Sequence, residues 1–524
     1  MGKGVLRSSV RVAAAVLSLW TFGACAVGPD YVPPDISAPR AWHTELRGGV
    51  VSEASDPRAL AEWWETLEDP VLSSLIGQAV EGNLDLEQAR ARVREARARL
   101  GITRAGLFPT LEARGSGNVN HKRLHEGEST ESWRHSEVLD AGWELDLFGG
   151  TRRSVEASEA DLEAGREDLR DVLVSLLSET ALSYVEIRVT QARLMTAEAN
   201  LKAQEDTWQM AQWRFEAGLT TQLDVEQARY NLESTRSQIP PLRSSLEAAR
   251  NRIAVLLGER PGEVHPELDK PAAVPVPPLG VAVGVPADLL RRRPDIRRAE
   301  RRLAAQTARI GEATAELYPK FSLLGSIGLE TLSTAGLSSA ASRAATLGIG
   351  PSVSWAIFRA GAVRKNIEVQ NALQEQALVQ YESTLLSALE EVENALTAYA
   401  EEQERRKALA EAARAAGQAA ELAREKYRAG LIDFSDVLEA ERSLLSLQDR
   451  EVESRGAVTA NLVRLYKALG GGWTSRAPED GGLSRSRVDE KIKKKSKKKH
   501  YHEEHEEGTK GTKKTLKVDK NEQG

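Results

Sequence analysis

The segment WRFEAGLTTQLDVEQA at residues 213–228 returns as EKYRAGLIDFSDVLEA at residues 425–440. The copies share an aromatic residue, then Ala-Gly-Leu, Asp-Val and a final Ala, all in register 212 positions apart. Each copy interrupts a long run rich in Ala, Leu, Arg and Glu, a composition typical of helices. Because glycine commonly ends helices, we predict two turns between long antiparallel helices, with Gly218 and Gly430 at the breaks.

The repetition extends beyond the turns. Residues Asp85, Ala89, Gly101, Ala105, Leu107 and Pro109 recur 210 positions later as Asp295, Ala299, Gly311, Ala315, Leu317 and Pro319. A period shared by several kinds of element indicates an internal duplication. We therefore predict two structural repeats, residues 61–260 and 287–473, joined by a Pro-rich linker at residues 261–286.

Helical patterns fill most of the first repeat. One region runs from Trp63 to about Leu107, a long helix follows from about Thr151 to Phe215, and another from about Thr221 to Leu257. The apolar stripe predicted for the first region is Leu84, Ala89, Val93, Ala96 and Leu100. Sixty-odd residues at 1.5 Å each give a helix of about 100 Å, a length typical of coiled coils and helical tubes.

Four segments alternate between apolar or small residues and polar ones. They lie at about residues 110–120, 136–148, 320–330 and 344–358, and a polar loop at about residues 120–135 separates the first two. Trp143 and its repeat Trp355 fall on the apolar sides. A period of two with one apolar face predicts strands that lie half in a nonpolar medium.

The first residues have the pattern of an export signal. A positive start precedes an apolar core at Val12 to Phe22 that is too short to span a bilayer. The sequence Phe22-Gly23-Ala24-Cys25 resembles a bacterial lipoprotein box, with Phe22 where Leu is usual. We predict removal of residues 1–24, a lipid on Cys25 and an extended segment to residue 60; the alternative is an ordinary signal peptide with a chance cysteine.

The last residues lose the helical pattern. Residues 474–524 are Lys-rich and of low complexity, so we predict a disordered tail. Its His502-Glu503-Glu504-His505 cluster lacks the spacing of a zinc hydrolase, and we expect a solvated tail and no metal site. The formal net charge of -6 argues against a nucleic-acid partner.

Four strands raise the question of assembly. After the signal, the sequence holds no run of about 18 apolar residues, and only helices and closed barrels can cross a membrane. Known barrels of this kind have at least eight strands, so two or more chains would have to share one barrel. The alternative is a soluble protein with two exposed, aggregation-prone hairpins.

Together these residues resemble the outer membrane factor family, the TolC-like exit ducts, and especially its lipoprotein branch that serves resistance-nodulation-division pumps. The matching motifs are Cys25 with Gly28-Pro29-Asp30-Tyr31, Trp143-Glu144-Leu145-Asp146-Leu147-Phe148-Gly149, Arg292-Arg293-Pro294-Asp295-Ile296, and Tyr427-Arg428-Ala429-Gly430 with Asp436-Val437-Leu438-Glu439-Ala440. The resemblance implies an α+β membrane protein in the outer membrane, a homotrimer with a twelve-stranded barrel above a twelve-helix periplasmic tube. It also implies contact with outer membrane lipids, a periplasmic adaptor and an inner-membrane pump as partners.

A duct of this kind needs no reaction, and we predict neither an enzyme nor a cofactor other than the lipid. Asp436 and Glu439, one helical turn apart, match the aperture acids of the family, with Glu439 in place of the usual Asp. Threefold rings of these acids would favour cations, with Arg442 or Arg424 as a balancing charge. The alternative for Asp436 is a helix N-cap, the role that we expect for its repeat partner Asp224.

The turns themselves are candidates for the adaptor contact, through Gly218, Leu219, Gly430 and Leu431, although a plain helix break needs glycine equally. The basic run from Arg291 to Arg302 is interpreted as a solvated helical face with ion pairs through Asp295 and Glu300. Two other functions stay open: a duct for one-step protein secretion, and a periplasmic coiled-coil scaffold that transports nothing.

Overall fold

Long paired helices and one four-stranded sheet make up the computed structural model, which describes residues 26–35, 39–53, 56–123, 129–263, 266–278, 280–333 and 342–473. Its α-helices are α1 (Pro57–Ala61), α2 (Pro70–Gly82), α3 (Leu84–Ala105), α4 (Gly150–Glu216), α5 (Gln222–Leu256), α6 (Pro266–Asp269), α7 (Pro286–Arg292), α8 (Pro294–Ala315), α9 (Ala362–Arg428) and α10 (Phe434–Ala468). Its strands are β1 (Val50–Val51), β2 (Thr110–Arg123), β3 (Ser129–Leu145), β4 (Val281–Ala282), β5 (Lys320–Ser333) and β6 (Ser342–Ser354).

The duplication is reproduced helix by helix. α4 and α9 each contain 67 residues, α5 and α10 each contain 35, and α3 and α8 each contain 22. The predicted long helices are therefore confirmed to within a residue or two. Ion pairs Arg236–Glu205 and Arg252–Glu179 join α5 to α4 in the order expected of antiparallel neighbours.

The first helical region differs from the prediction. A short 3-10 helix at Trp63–Leu67 precedes α2, and Asn83 separates α2 from α3. The Asn83 side chain accepts from the amide of Leu86 at 2.9 Å, a cap that starts α3 afresh. Leu84 is consequently exposed instead of lying on the apolar stripe, where Leu86 takes its place.

The four long strands form one antiparallel sheet in the order β2-β3-β5-β6. β3 pairs with β5 and so joins the two repeats. The polar loop predicted at residues 120–135 was placed wrongly, because β2 continues to Arg123 and β3 begins at Ser129. Hydrogen bonding along the ladder outweighs the polar composition at this end of the hairpin.

One face of the sheet is apolar, as the alternation predicted. Directly opposed residues on neighbouring strands share a face, and two successive rows are Leu111-Ala141-Gly325-Ile349 and Ala113-Leu139-Ile327-Leu347. Trp143 donates to the carbonyl of Leu107 at 3.0 Å, and Trp355 donates to that of Leu317 at 3.1 Å, so the duplicated tryptophans make duplicated contacts. Trp355 itself lies just beyond the end of β6, which the prediction had extended too far.

The basic run of α8 does not simply face solvent. The expected pairs form, Arg293 with Asp295 at 2.7 Å and Arg301 with Glu300 at 2.6 Å. Further pairs cross to α4, namely Arg298 with Asp168 and Asp171 at 2.7 Å, Arg297 with Glu167 at 2.8 Å, Arg301 with Glu163 at 3.2 Å and Arg309 with Asp161 at 2.5 Å. The arginines therefore fasten the second repeat to the first.

The predicted linker carries structure of its own. It contains α6 and β4, of which β4 pairs in parallel with β1 from the N-terminal segment, and its last residue, Pro286, begins α7. None of the described helices is long and apolar enough to cross a membrane. The predictions for the signal, for Cys25 and for residues 474–524 lie outside the described residues.

Candidate functional site

The two tips of the helical hairpins turn with the same backbone geometry. The amides of Leu219 and Leu431 each donate to the carbonyl five residues earlier, at 2.8 and 2.9 Å. Gly218 and Gly430 have φ values of 71° and 72°, the left-handed conformation that favours glycine. A Cβ added at either glycine would meet no atom within 4 Å. Within this chain, the glycines are therefore required by the turn and not by a close backbone approach.

The first tip begins its returning helix with a complete capping box. The Thr221 hydroxyl accepts from the Asp224 amide at 3.3 Å, and the Asp224 carboxylate accepts from the Thr221 amide at 3.0 Å. The hydroxyls of Thr220 and Thr221 also donate to this carboxylate at 2.6 and 2.8 Å. Burial opposes ionisation of Asp224, but these hydrogen bonds outweigh it and lower its pKa. Asp224 therefore takes part in capping, but the prediction that it is the N-cap itself was wrong by three residues, because Thr221 holds that position and Asp224 is the third residue of α5.

The second tip has a different start. Asp433 stands at the N-cap, at the position of Thr221, and it makes no side-chain cap hydrogen bond. Asp436 is the third residue of α10, so the alternative prediction that it is the N-cap was wrong by three residues. Its side chain is exposed and has no hydrogen-bond or ion-pair partner in the described parts of the chain. The Asp433 carboxylate has no hydrogen to donate, so the bond from the Thr221 hydroxyl to the Asp224 carboxylate has no counterpart at Asp436.

The second predicted acid has a partner. Glu439 is exposed and pairs with Arg442 at 2.9 Å, one turn along α10. The balancing charge that was predicted at either Arg442 or Arg424 is therefore supplied by Arg442. Arg424 is not, because it donates to the buried Glu441 at 2.8 Å. Glu441 also accepts from Thr207 of α4 at 2.8 Å and so connects the two hairpins.

A small apolar core joins the hairpins just above the turns. Its buried residues are Ala211, Ala228, Tyr427, Phe434, Val437 and Leu438. The rings of Tyr427 and Phe434 lie 5.0 Å apart, and the guanidinium of Arg214 lies 4.5 Å from the centre of the Tyr427 ring. The backbone around Asp436 is thus held by Val437 and Leu438, while the Asp436 carboxylate faces outward.

The first tip exposes more apolar surface than the second. Leu219 and Leu431 are both exposed at the turns. The first hairpin additionally exposes Trp213, Phe215, Leu223 and Tyr230, whose counterparts 212 residues later are Glu425, Tyr427, Ser435 and Arg442. Sequence reasoning missed this asymmetry, although comparing the two copies position by position would have found it.

In the described residues, no group of three or more His, Cys, Asp or Glu side chains is placed to hold a metal ion. At the second tip, Asp436 and Glu439 lie one turn apart on the same side of the beginning of α10. The arrangement is suited to presenting negative charge to an aqueous space.

Comparison with protein families gives a double match. The family model described as outer membrane efflux protein matches residues 75–259 and again residues 285–471. The two matched stretches correspond to the two copies of the duplication, and together they cover most of the chain.

Individual relatives agree. The chain is 34% identical over 426 residues to nodulation protein T of Rhizobium leguminosarum bv. trifolii, covering 80% of this chain and 88% of the relative. It is 32% identical over 466 residues to the toluene efflux pump outer membrane protein TtgI of Pseudomonas putida, covering 88% of this chain and 98% of the relative. Among solved structures, the outer-membrane channel OprN superposes with a TM-score of 0.78 at 38% identity, covering 86% of this chain and all of that one.

Proposed function

The chain belongs to the outer membrane efflux protein family and is an outer-membrane exit duct for efflux, and from this premise we propose how it assembles and gates. Three copies share a twelve-stranded barrel and a twelve-helix periplasmic tube. A periplasmic adaptor and an inner-membrane resistance-nodulation-division pump deliver substrate to the tips. The duct conducts passively, so transport energy comes from the pump.

The proposed assembly rests on one observation, the unpaired edges of the four-stranded sheet. Within the described residues β2 and β6 are paired on one side only, so each leaves a free edge. Free edges cannot lie in lipid, where backbone groups find no partner. The apolar side of β5 from Phe321 to Leu329 spans about 27 Å along the strand, or about 21 Å at a tilt of about 40°, close to the band of known outer-membrane barrels.

The duplication supports a specific interface between copies. Within the chain, α4 of the first repeat packs against α8 of the second. If neighbouring copies repeat this relation, α9 packs against α3 of the next copy, because α9 corresponds to α4 and α3 to α8. The same correspondence supports residues 61–260 and 287–473 as the repeats.

The surface of α9 fits this role. It exposes Val369, Leu373, Val379 and Leu386, whose counterparts on α4 are Ala157, Asp161, Glu167 and Val174. Ala157 and Val174 are buried, and Asp161 and Glu167 bind arginines of α8. The α4 positions are thus covered within the chain, while the matching α9 positions are apolar and exposed. This is expected of a face that a second copy covers.

The acids of α10 supply the gate. In a trimer, Asp436 and Glu439 each become a ring of three carboxylates at the periplasmic opening. Arg442 balances the Glu439 ring at 2.9 Å, whereas the exposed Asp436 has no cation beside it in the described chain. We expect Asp436 to contribute most of the negative potential that favours cations.

The exposed turns carry the adaptor contact. Leu219 and Leu431 project at the tips beside Gly218 and Gly430, and the first hairpin adds further apolar surface. We propose that both turns contact the adaptor, with the first hairpin contributing more apolar area. A lipid on Cys25 anchors the protein to the outer membrane, and no cofactor is required.

We expect the pump, and not the duct, to determine which substrate is exported. One relative is named for toluene efflux and another for nodulation, which suggests that similar ducts serve different cargoes. The compounds that accumulate in a deletion strain identify the cargo. Gentle detergent extraction followed by native mass spectrometry tests the assembly: a trimer is expected, and a monomer would reject the shared barrel.

A further inference from the structure

Residues 26–31, called here the N-terminal strap, lie in a built groove at the junction of helices and sheet. The Val27 amide donates to the carbonyl of Phe148 at 3.0 Å. A Cβ on Gly149 would come within 2.6 Å of Ala26, so the strap touches the backbone where β3 gives way to α4. Ala26 directly follows Cys25 in the chain, so little slack separates the strap from the expected lipid site.

One arginine holds most of the strap. Arg153 of α4 is only 4% exposed. It donates to the carbonyls of Val27 and Gly28 at 3.2 and 3.4 Å and to the Asp30 carboxylate at 2.7 Å. Its other partner is Glu156 at 2.8 Å. The strap thus supplies three of the four hydrogen-bond partners of this buried guanidinium, and a buried charge needs such partners.

The groove is also shaped by absent side chains. Gly28 has a φ of 91°, and a Cβ there would lie 2.4 Å from the Cα of Gly311 in α8. A Cβ on Gly311 would lie 2.8 Å from the Arg153 side chain. Both glycines are therefore needed for this close approach, which fits the strap between the two repeats.

The end of the strap is fixed on α8 as well. The Tyr31 hydroxyl donates to Glu300 at 3.2 Å, and the guanidinium of Arg301 lies 5.5 Å from the ring centre. The ring packs on the buried alanines Ala160, Ala304 and Ala305. Backbone, charge and aromatic contacts thus act along the whole strap.

The duplication shows that this groove is not a by-product of the fold. Lys365 stands at the Arg153 position in α9, and it is exposed and paired only with Glu368 among the described residues. Gly101 stands at the Gly311 position in α3, and a Cβ there would meet no atom of the described chain within 4 Å. Arg153 and Gly311 thus make the groove in one copy. In the other copy the arginine is replaced by Lys365, and Gly101 has no close neighbour in the described chain.

From this geometry we propose that Arg153 and Gly311 form a receptor site for the chain's own extended Gly-Pro-Asp-Tyr segment. The docked strap clamps α4 to α8 at the membrane-side end of the long helices. It also fixes the point at which a lipid on Cys25 leaves the protein, a consequence that rests on the lipidation proposed above. The anchor is thereby a rigid attachment and not a loose tether.

Hydrogen exchange on the full-length protein in detergent tests the receptor. Arg153→Met should raise exchange of the peptide that contains Val27 by about tenfold or more, since the strap loses three of its hydrogen bonds. Lys365→Met changes the equivalent position of α9 and should leave the strap as it is. Peptides from α5 report whether each protein is folded.

A second pair of variants tests the receptor even if the Arg153→Met protein does not fold and accumulate in cells. Gly311→Ala inserts a methyl group into the groove, whereas Gly101→Ala inserts one at the matching position of α3, which the strap does not touch. Faster strap exchange in the first and not in the second supports the receptor. Unchanged strap exchange in folded Gly311→Ala, or an equal rise in the control, overturns it.

Labelling with a palmitate analogue separates this proposal from the proposed function. If the strap is protected from exchange but Cys25 carries no label, the receptor proposal stands and the lipid anchor is rejected. A labelled, trimeric protein whose strap exchanges freely in the wild type would reject the receptor and leave the duct unaffected.

Discussion

The Asp224 carboxylate accepts a hydrogen bond from the Thr221 amide at 3.0 Å, and the corresponding pair in the second tip, Asp436 and Asp433, makes no such bond. Two differences between the copies, Thr220 to Ile432 and Thr221 to Asp433, remove the hydroxyls that donate to the carboxylate in the first tip. The first tip uses its acid for local structure, and the second leaves its acid facing the solvent.

Asp224→Ala should weaken the first tip by about 1 kcal/mol, the usual value of a helix cap. Exchange of the Thr221 and Asp224 amides measures the loss. Asp436→Ala removes the equivalent acid without a cap and should leave the amide exchange of α10 nearly unchanged. Equal effects of the two substitutions would contradict the assigned roles.

The same bond predicts a pH dependence. The Asp224 hydrogen bonds lower its pKa in the folded chain below the unfolded value of about 3.9. This contribution to the free energy of unfolding is present above about pH 4 and is lost as the pH falls through the folded pKa. The protection of the first-tip amides, measured relative to their intrinsic exchange rate at each pH, should therefore fall in acid in the wild type, and the Asp224→Ala protein should lack this fall.

Gly456 sets the spacing of α10 against α4. A Cβ at Gly456 would lie 2.0 Å from the Val189 side chain, so Gly456→Ala should destabilise the protein by about 1–3 kcal/mol through overpacking. A Cβ at Gly417 of α9 would lie 3.8 Å from the side chain of Leu444, an ordinary contact, and Gly417→Ala should be neutral or stabilising by up to about 1 kcal/mol. Thermal unfolding in detergent compares them, and similar melting temperatures would refute the close packing.

The proposed interface between copies predicts a selective loss of trimer. Leu386 is 67% exposed, and its counterpart Val174 is buried, so Leu386→Glu should place a charge in the interface and shift the protein toward monomer. Ala398→Glu is the control, since its counterpart on α4 is the exposed Glu186. Native mass spectrometry reads the result, and a Leu386→Glu trimer as stable as the control would place the interface elsewhere.

The duplication let the sequence predict most of the fold. Helix lengths and glycine breaks depend on local composition, and the bounds of α4 and α5 followed to within two residues. The end of β6 before Trp355 did not follow, because strand ends depend on pairing partners that lie far away in sequence. The break at Asn83 was missed for a related reason: its side chain donates to the carbonyl of Leu256, a contact made only in the fold.

The candidate site was predictable in position and not in detail. The residues Asp436 and Glu439 were identified by their match to the aperture acids of the resembled family, and both are exposed on α10. The choice between Arg442 and Arg424 depended on tertiary contacts, since Arg424 is drawn to the buried Glu441. The strap groove could not be predicted, because Gly28, Arg153 and Gly311 meet only after the repeats pack together.

Ion selectivity in planar bilayers tests the central claim most directly. The wild-type trimer should conduct and, in a KCl gradient, show a reversal potential that favours K⁺; the double variant Asp436→Asn with Glu439→Gln should move this potential toward zero. Asp224→Asn, at the capped tip, is the matched control and should keep the wild-type value. A double variant with the wild-type reversal potential, or a protein that forms no channel at all, would contradict an acidic aperture at the end of an outer-membrane exit duct.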